Sequence, residues 1–417
     1  MKLIPFSELV VINPRVKLIK AHNYPFVEMG VVQPGKKLVK AGEVRAYKGG
    51  GSKFLSGDTL FARITPCLEN GKIAQFNGHK EDVGFGSTEF FVFRAKPKIS
   101  DPDYVYYLST SDYLRKPAER SMSGASGRQR ADLNAIVNIE VPAPTLSTQR
   151  KIASILTAYD DLIENNLRRI KILEEMAQNL YREWIVKLRF PGHENIRFVD
   201  SELGRIPEGW EVVNLEDICT RITDGAHHSP KTSLSGYPMA SVKDMHDWGF
   251  NLDSCRIISS DDFQKLKRND SITKKNDVLI AKDGSYLKHC FVVSKDMDVA
   301  LLSSIAILRP SKKINPHLLA SILLDPNVKE RMKGYVSGAA LPRIILKEFR
   351  KFKIILPSPH IQQEWANFAL PKIYLCQKLI DKNKILHLTR DLLLPKLISG
   401  EIDVSNIDIA MHEEVSS

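Results

Sequence analysis

Cysteine is scarce and scattered: five in 417 residues, at Cys67, Cys219, Cys255, Cys290 and Cys376, with no short pairing. An odd, dispersed set argues against a disulfide framework or a zinc knuckle and implies isolated buried thiols. Long apolar runs are missing too. No segment approaches the roughly 20 residues needed to cross a bilayer. Residues 1–11 hold one Lys and no small-residue cleavage signature, so no secretory signal is expected and the cytoplasm is. Phosphate-cradling loops are also lacking. Gly49-Gly50-Gly51-Ser52-Lys53 has the wrong spacing for one, and Gly84-Phe85-Gly86 lacks the third glycine of a dinucleotide fingerprint.

What is present is 43% hydrophobic and 26% charged sequence, enough for two or three soluble globular domains. The net charge of +11 is unevenly spread, with +7 in residues 1–145, +2 in 146–190, +4 in 191–357 and −2 in 358–417. Two separated basic blocks suit contact with a polyanion.

The chain repeats itself. SGASGRQR at 123–130 is echoed by SGAALPRI at 337–344, and VPAPTLSTQ at 141–149 by LPSPHIQQ at 356–363. Gly124 aligns with Gly338, Pro142 with Pro357 and Gln149 with Gln363, at offsets of 214, 215 and 214. Each Pro-x-Pro element follows a short apolar segment, read as a strand at 136–141 and 352–356, and precedes a helical pattern in which LIENN echoes LIDKN. Further strands are expected at 59–64, 90–93, 278–280 and 300–308, and helices at 104–117 and 316–333.

The first helical pattern is the sharpest signal. Ile152, Leu156, Tyr159, Ile163, Asn166, Ile170, Leu173, Ala177, Leu180 and Trp184 recur at alternating steps of four and three, which describes a coiled-coil seam. The second pattern repeats this spacing at Cys376, Leu379, Asn383, Leu386, Arg390, Leu393 and Leu397. Pro371 and Pro395 are expected to limit its uninterrupted length. Each seam holds one Asn, a device that fixes register and partner. An antiparallel pairing would make a rod of roughly 50 Å at ~1.5 Å per residue. Between the repeats, Pro191-Gly192, Gly204 and Pro207-Glu208-Gly209 punctuate turns.

At this point the sequence resembles the specificity subunits of type I restriction–modification enzymes over nearly its whole length. SGDTLFARITPCLENGKIA at 56–74, GFGSTEFFVF at 84–93 and SGASGRQR at 123–130 resemble one type of target-recognition domain. LGRIPEGWEVVNLEDI at 203–218 resembles the start of a second, ITDGAHHSPK at 222–231 another type's motif, and RDLLLPKLISGEI at 390–402 the closing helix. Two departures stand out: Ala226-His227-His228 replaces a threonine–histidine–threonine-like run, and Thr148 and Gln362 stand where a glutamate usually precedes the glutamine at the helix start. No Asn-Pro-Pro-aromatic run of an adenine methyltransferase appears.

The resemblance implies a duplicated α/β (α+β) architecture with two long antiparallel helices. The expected parts are a first target-recognition domain at 1–145, a spacer helix at 146–189, a linker at 190–203, a second domain at 204–358, a second helix at 359–400 and a tail at 401–417. It also implies a non-catalytic subunit in which each domain reads half of a split site in double-stranded DNA. The helices would dock two methylation subunits and, through them, restriction and translocase subunits. S-adenosylmethionine, ATP and magnesium are expected on those partners, with no cofactor or metal on this chain and no membrane contact.

Direct reading of bases favours Arg or Lys on guanine and Asn or Gln on adenine, while Lys, Arg and small hydroxyls hold phosphates. In the first domain the candidates are Ser126, Arg128, Gln129 and Arg130 in a flexible basic loop, flanked by Lys53, Arg63 and Lys72. In the second they are His227, His228, Lys231, Lys243, Lys282, Lys288 and Arg343. A solvated basic loop is the plain alternative. Asp224 with the two histidines could seed a metal site, but adjacent histidines seldom face one ion, and a capped turn or a DNA-touching loop is the preferred reading. A self-sufficient nuclease or methyltransferase and a purely structural coiled-coil adaptor are the rival functions.

Overall fold

A computed structural model of the chain describes residues 2–78, 82–125, 127–283, 287–337 and 343–408. The chain divides into two compact units, the first made of Met1–Arg168 and Ile380–Ser417, the second of Arg169–Leu379. Each long helix contributes one stretch to each unit.

The first unit opens with strand Leu3–Pro5, which pairs with Glu140–Pro142 just before the long helix. Its main sheet runs in the order Val10–Ile12, Phe90–Ala95, Thr59–Ala62, Ile73–Phe76, Leu38–Val39. A second sheet orders Glu43–Ala46, Asn23–Val27, Val83–Gly86 and Ser52–Leu55. The glycine-rich runs find their reason here. A Cβ on Gly86 would stand 2.4 Å from the Val27 carbonyl oxygen, and one on Gly51 would stand 2.6 Å from that of Gly86. Gly51 and Gly86 thus let neighbouring strands approach closely.

The second unit repeats the plan. Glu211–Asn214 pairs with Lys353–Leu356, and the main sheet runs Cys219–Asp224, Ile305–Pro310, Val278–Ala281, Cys290–Val292. A second, three-stranded sheet orders Arg256–Ile258, Tyr237–Ala240 and Ala300–Leu301.

Several sequence expectations are corrected. The segment 136–141 is a short helix, Leu133–Val137, before the strand, because the Asp132 carboxylate accepts from the Asn134 amide and caps a helical turn. The helix at 104–117 is two, Pro102–Thr110 and Asp112–Arg120, broken at Ser111; that at 316–333 is likewise Pro316–Leu324 and Pro326–Lys333. Pro326 explains the latter break, since it disfavours helical backbone at Asp325. The segment 300–308 is two strands, Ala300–Leu301 and Ile305–Pro310. Residues 190–203 are folded: Phe198–Ser201 forms a hairpin with Gly204–Pro207, and buried Phe190 stacks on Trp210 at 5.3 Å.

The first long helix spans Leu146–Tyr181 and ends in a π-helical turn, Arg182–Val186. The second, Pro359–Ser399, passes through both Pro371 and Pro395 without interruption. Burial on either side of each proline, by Ala369 and Cys376 and by Arg390 and Leu397, outweighs the ~3 kcal/mol that proline costs a helix.

Within the first unit the helices run antiparallel. Asn166 Nδ2 donates to Asn383 Oδ1 at 2.7 Å, and Arg390 ion-pairs with Asp160. Within the second they are antiparallel too, with Cys376 against the Ile170 carbonyl and Trp184 edge-on to Phe368. Ile152, Leu156, Ile163, Asn166, Ile170, Trp184, Leu379, Asn383 and Leu397 are buried, while Tyr159, Leu173, Leu180, Leu386 and Leu393 are half-buried. Cys255, Cys290 and Cys376 are buried free thiols and Cys67 and Cys219 half-buried ones; burial raises the Cys255 and Cys376 thiols to about 11, which keeps them protonated and inert.

Candidate nucleic-acid interface

The two main sheets match residue by residue through their hydrogen bonds. In the first unit the Arg63 amide donates to the Glu89 carbonyl at 3.0 Å and the Ala131 amide to the Arg63 carbonyl at 2.8 Å. In the second, the Lys282 amide donates to the Ser304 carbonyl at 2.8 Å and the Ile344 amide to the Lys282 carbonyl at 3.1 Å. Arg63 is therefore equivalent to Lys282, Arg130 to Arg343 and Glu89 to Ser304.

The scaffold beneath is duplicated as well. Arg94 makes a two-pronged bond to buried Asp58, 2.8 and 2.6 Å, and Arg309 one to buried Asp277, 2.8 and 3.0 Å. Each Asp also accepts from a backbone amide three residues earlier, of Leu55 and Lys274. The residue before each is left-handed: Gly57 at φ +87° and Asn276 at φ +70°, both types that tolerate that region. Sequence inspection missed this pair. The signal was present as GDTLFAR at 57–63 against NDVLIAK at 276–282.

The helix starts are equivalent too, and the register differs from the expected one. Gln149 Nε2 donates to the carbonyls of Ile99 and Pro144, and its oxygen accepts from the Asp101 amide. Gln362, not Gln363, does the same with Lys313, Pro357 and Asn315. Pro144, rather than Pro142, therefore matches Pro357. Both amides are buried, and each ties the long helix to the cap of the helix beginning at Pro102 or Pro316.

On this frame the candidates separate. Arg130 lies bidentate on Glu89, with contacts of 2.7 and 3.0 Å, and Arg63 reaches the same carboxylate at 3.2 Å. Together, and chiefly through the Arg130 hydrogen bond, they hold the Glu89 carboxyl below its ordinary range. Arg128 is exposed and its side chain bonds to no described residue; Gln129 is half-buried beside it. Ser126 lies outside the described residues. Lys53 stands 5.2 Å over the Tyr47 ring, and Lys72 turns inward to donate to the Met29 carbonyl.

In the second unit Lys282 is also turned inward, 8% exposed, with Nζ 2.9 Å from the Asp224 carboxylate. This corrects its expected place among the DNA-contacting side chains of the second domain. Residues 284–286, which follow in the chain, lie outside the described residues, as do residues 338–342 of the repeat. His227 Nε2 is 3.2 Å from the other Asp224 oxygen, while His228, Lys231, Lys243, Lys288 and Arg343 are exposed. Gly225 explains the Asp-Gly pairing: a Cβ there would stand 2.3 Å from the Leu301 carbonyl oxygen. No group of three His, Cys, Asp or Glu among the described residues is placed to hold a metal ion, and no described helix is long and apolar enough to cross a membrane. Away from these rims the second unit holds a cavity of about 520 Å³, walled in part by Glu174, Trp248, His317 and Tyr374.

A duplicated α/β domain followed each time by a long helix, with basic groups gathered at matching strand ends, defines a protein with two basic domains of a kind suited to a polyanion. The chain belongs to the type I restriction modification DNA specificity domain family, which it matches twice, over residues 14–175 and 207–388. The two matches end 213 residues apart, the offset of Gln149 and Gln362. It is 29% identical over 321 residues to the type I restriction enzyme MjaIX specificity subunit of Methanocaldococcus jannaschii, covering 73% of this chain and 70% of that one. To the HindI specificity subunit of Haemophilus influenzae it is 25% identical, covering 83% and 86%. Among solved structures, the S subunit of the type I restriction-modification system of M. genitalium shares the fold, with a TM-score of 0.56 at 14% identity over 95% of this chain and 96% of that one.

Proposed function

We propose that this chain is the DNA-reading subunit of a type I restriction–modification complex, each domain reading one half of a bipartite site and neither performing chemistry. The observation that carries the reading is the duplicated basic rim, Arg63 and Arg130 in one domain and Lys282 and Arg343 in the other, on hydrogen-bonded frames that match residue by residue. Of these, Arg130 and Arg343 are exposed at their rims, where a guanidinium suits groove contact. Around them, exposed Arg128, His227, His228, Lys231, Lys243 and Lys288 supply further contacts.

The long helices serve as spacer and docking surface in this reading. On the second helix Ile385, Leu388 and Leu392 are 64%, 65% and 68% exposed at steps of three and four, one face of a helix. Such a stripe fits the helices of methylation subunits, which carry S-adenosylmethionine, and through them restriction and translocase subunits with ATP and magnesium. The chain then works in the cytoplasm beside the genome.

Exchanging residues 1–145 for those of a relative tests the reading: one half of the methylated sequence changes and the other persists. A change in both halves defeats it. Turnover by the purified chain alone with methyl donor, magnesium and DNA favours an enzyme instead, and a DNA affinity indifferent to salt favours a mere adaptor.

A further inference from the structure

We propose that Glu89 and Asp224 are specificity-determining residues, carboxylates that restrain the basic side chains of each rim so that base edges, not passing phosphates, engage them. The inference rests on the DNA-reading function above. Its starting point is an inequality between matching sites. In the first domain the acid stands directly before strand Phe90–Ala95, at Glu89. The matching position in the second domain is Ser304, which has no charge, and the acid comes instead from the end of strand Cys219–Asp224. The carrier differs and the chemistry persists: Arg130 and Arg63 meet Glu89, Lys282 and His227 meet Asp224.

A free Lys or Arg at a rim attracts every phosphate about equally and adds roughly one released counterion to binding. A carboxylate beside it cancels that charge and fixes the side chain. Arg130 bound through Nε and one terminal nitrogen keeps its remaining N–H groups oriented for a pair of acceptors such as guanine O6 and N7. Lys282, nearly enclosed against Asp224, is withheld from phosphates and bases alike, and the group that Asp224 restrains at the surface is the exposed His227, 3.2 Å from its other oxygen. The carboxylates thus lower affinity for DNA in general and sharpen the choice of sequence.

The test uses the full-length chain and a pool of random-sequence duplexes, with selected DNA sequenced and affinity for the unselected pool measured against salt. Wild type should enrich a split motif. Glu89→Gln should bind the unselected pool about three- to ten-fold more tightly, with a salt dependence steeper by about one ion, and should blur one half of the motif only. The double variant Asp224→Asn with Lys282→Met, which leaves no buried lone charge, should blur the other half without gaining affinity for the pool. Glu89→Asp should restore most of the lost discrimination, which a merely structural carboxylate would not require. Unchanged motif sharpness in both acid variants that fold, or blurring of both halves by either, overturns the inference. A wild-type chain that enriches no split motif would instead sink the function on which it rests.

Discussion

The two units hold their helices by different means. In the first, the helices share an apolar core with the domain, through Ile152, Leu156, Leu397 and Ile398 against Phe6, Phe93 and Tyr104, and buried charge is added to it: Arg390 bonds to Asp160, Asp391 and the Gly35 carbonyl, Tyr107 donates to Asp160, and Lys37 pairs with Asp103 and Thr157. In the second, the seam merges into an aromatic and aliphatic core that includes Tyr181, Trp184, Phe190, Trp210 and Trp365. Buried charge is demanding of geometry and intolerant of losing one partner; apolar packing is tolerant but non-directional. A repeated plan therefore admits different additions to the shared apolar packing wherever the requirement is only that a helix be fixed to a domain. Where strands must meet in register, as at Asp58–Arg94 and Asp277–Arg309, the solution is the same in both.

Substitution at that shared feature sharpens the comparison most. Asp58→Ala strands Arg94 and uncaps a turn, and should cost about 3–5 kcal/mol. Asp277→Ala should cost less, because Asp270 still holds Arg309 at 2.8 Å. Denaturant unfolding of the two variants checks the order, and equal losses would mean that Asp270 contributes nothing.

Acid should weaken the second unit through His317. Burial lowers its folded pKa from 6.5 to about 4. Above pH 6.5 the ring is neutral in both states and pH has no effect. Between 6.5 and 4 the unfolded chain takes up the proton first, so stability falls as pH falls, by up to about 3 kcal/mol at ~1.4 kcal/mol per unit. Hydrogen exchange resolved by unit should show this fall in the second unit, and His317→Gln should abolish it.

The reading rims give smaller effects. Arg128→Ala should weaken specific DNA binding by the assembled methyltransferase by about 1–3 kcal/mol, and unchanged site affinity removes Arg128 from the interface. Arg343→Ala should act comparably on the other half-site. Smallest is Trp365→Phe: the buried indole Nε1 has no hydrogen-bond partner among the described residues, so removing that N–H offsets part of the packing lost, leaving a net cost below about 1.5 kcal/mol. A larger thermal destabilisation would indicate that ring volume alone governs the second unit's core.

Much of the architecture was legible beforehand because it rests on local periodicity. The four-and-three spacing from Ile152 to Trp184 needs no tertiary knowledge to declare a seam, and Asn166 and Asn383 mark its register. The repeat was visible in its turns but misaligned at Gln149, since adjacent glutamines at 362 and 363 look alike until their carbonyl partners are known. The rims were half legible. Basic residues show in any sequence, but whether Lys72 or Lys282 points outward depends on a backbone carbonyl 43 residues away or a carboxylate 58 residues away.

The sequence by itself determined that two similar domains, each basic and each followed by a long helix, make up this protein, because helical period, turn chemistry and net charge are local or additive properties. Only the tertiary structure decided which cations remain free, which glutamine anchors the second helix and that Pro371 and Pro395 leave that helix unbroken. Those outcomes depend on burial and on partners distant in the chain, and neighbouring residues carry no record of them.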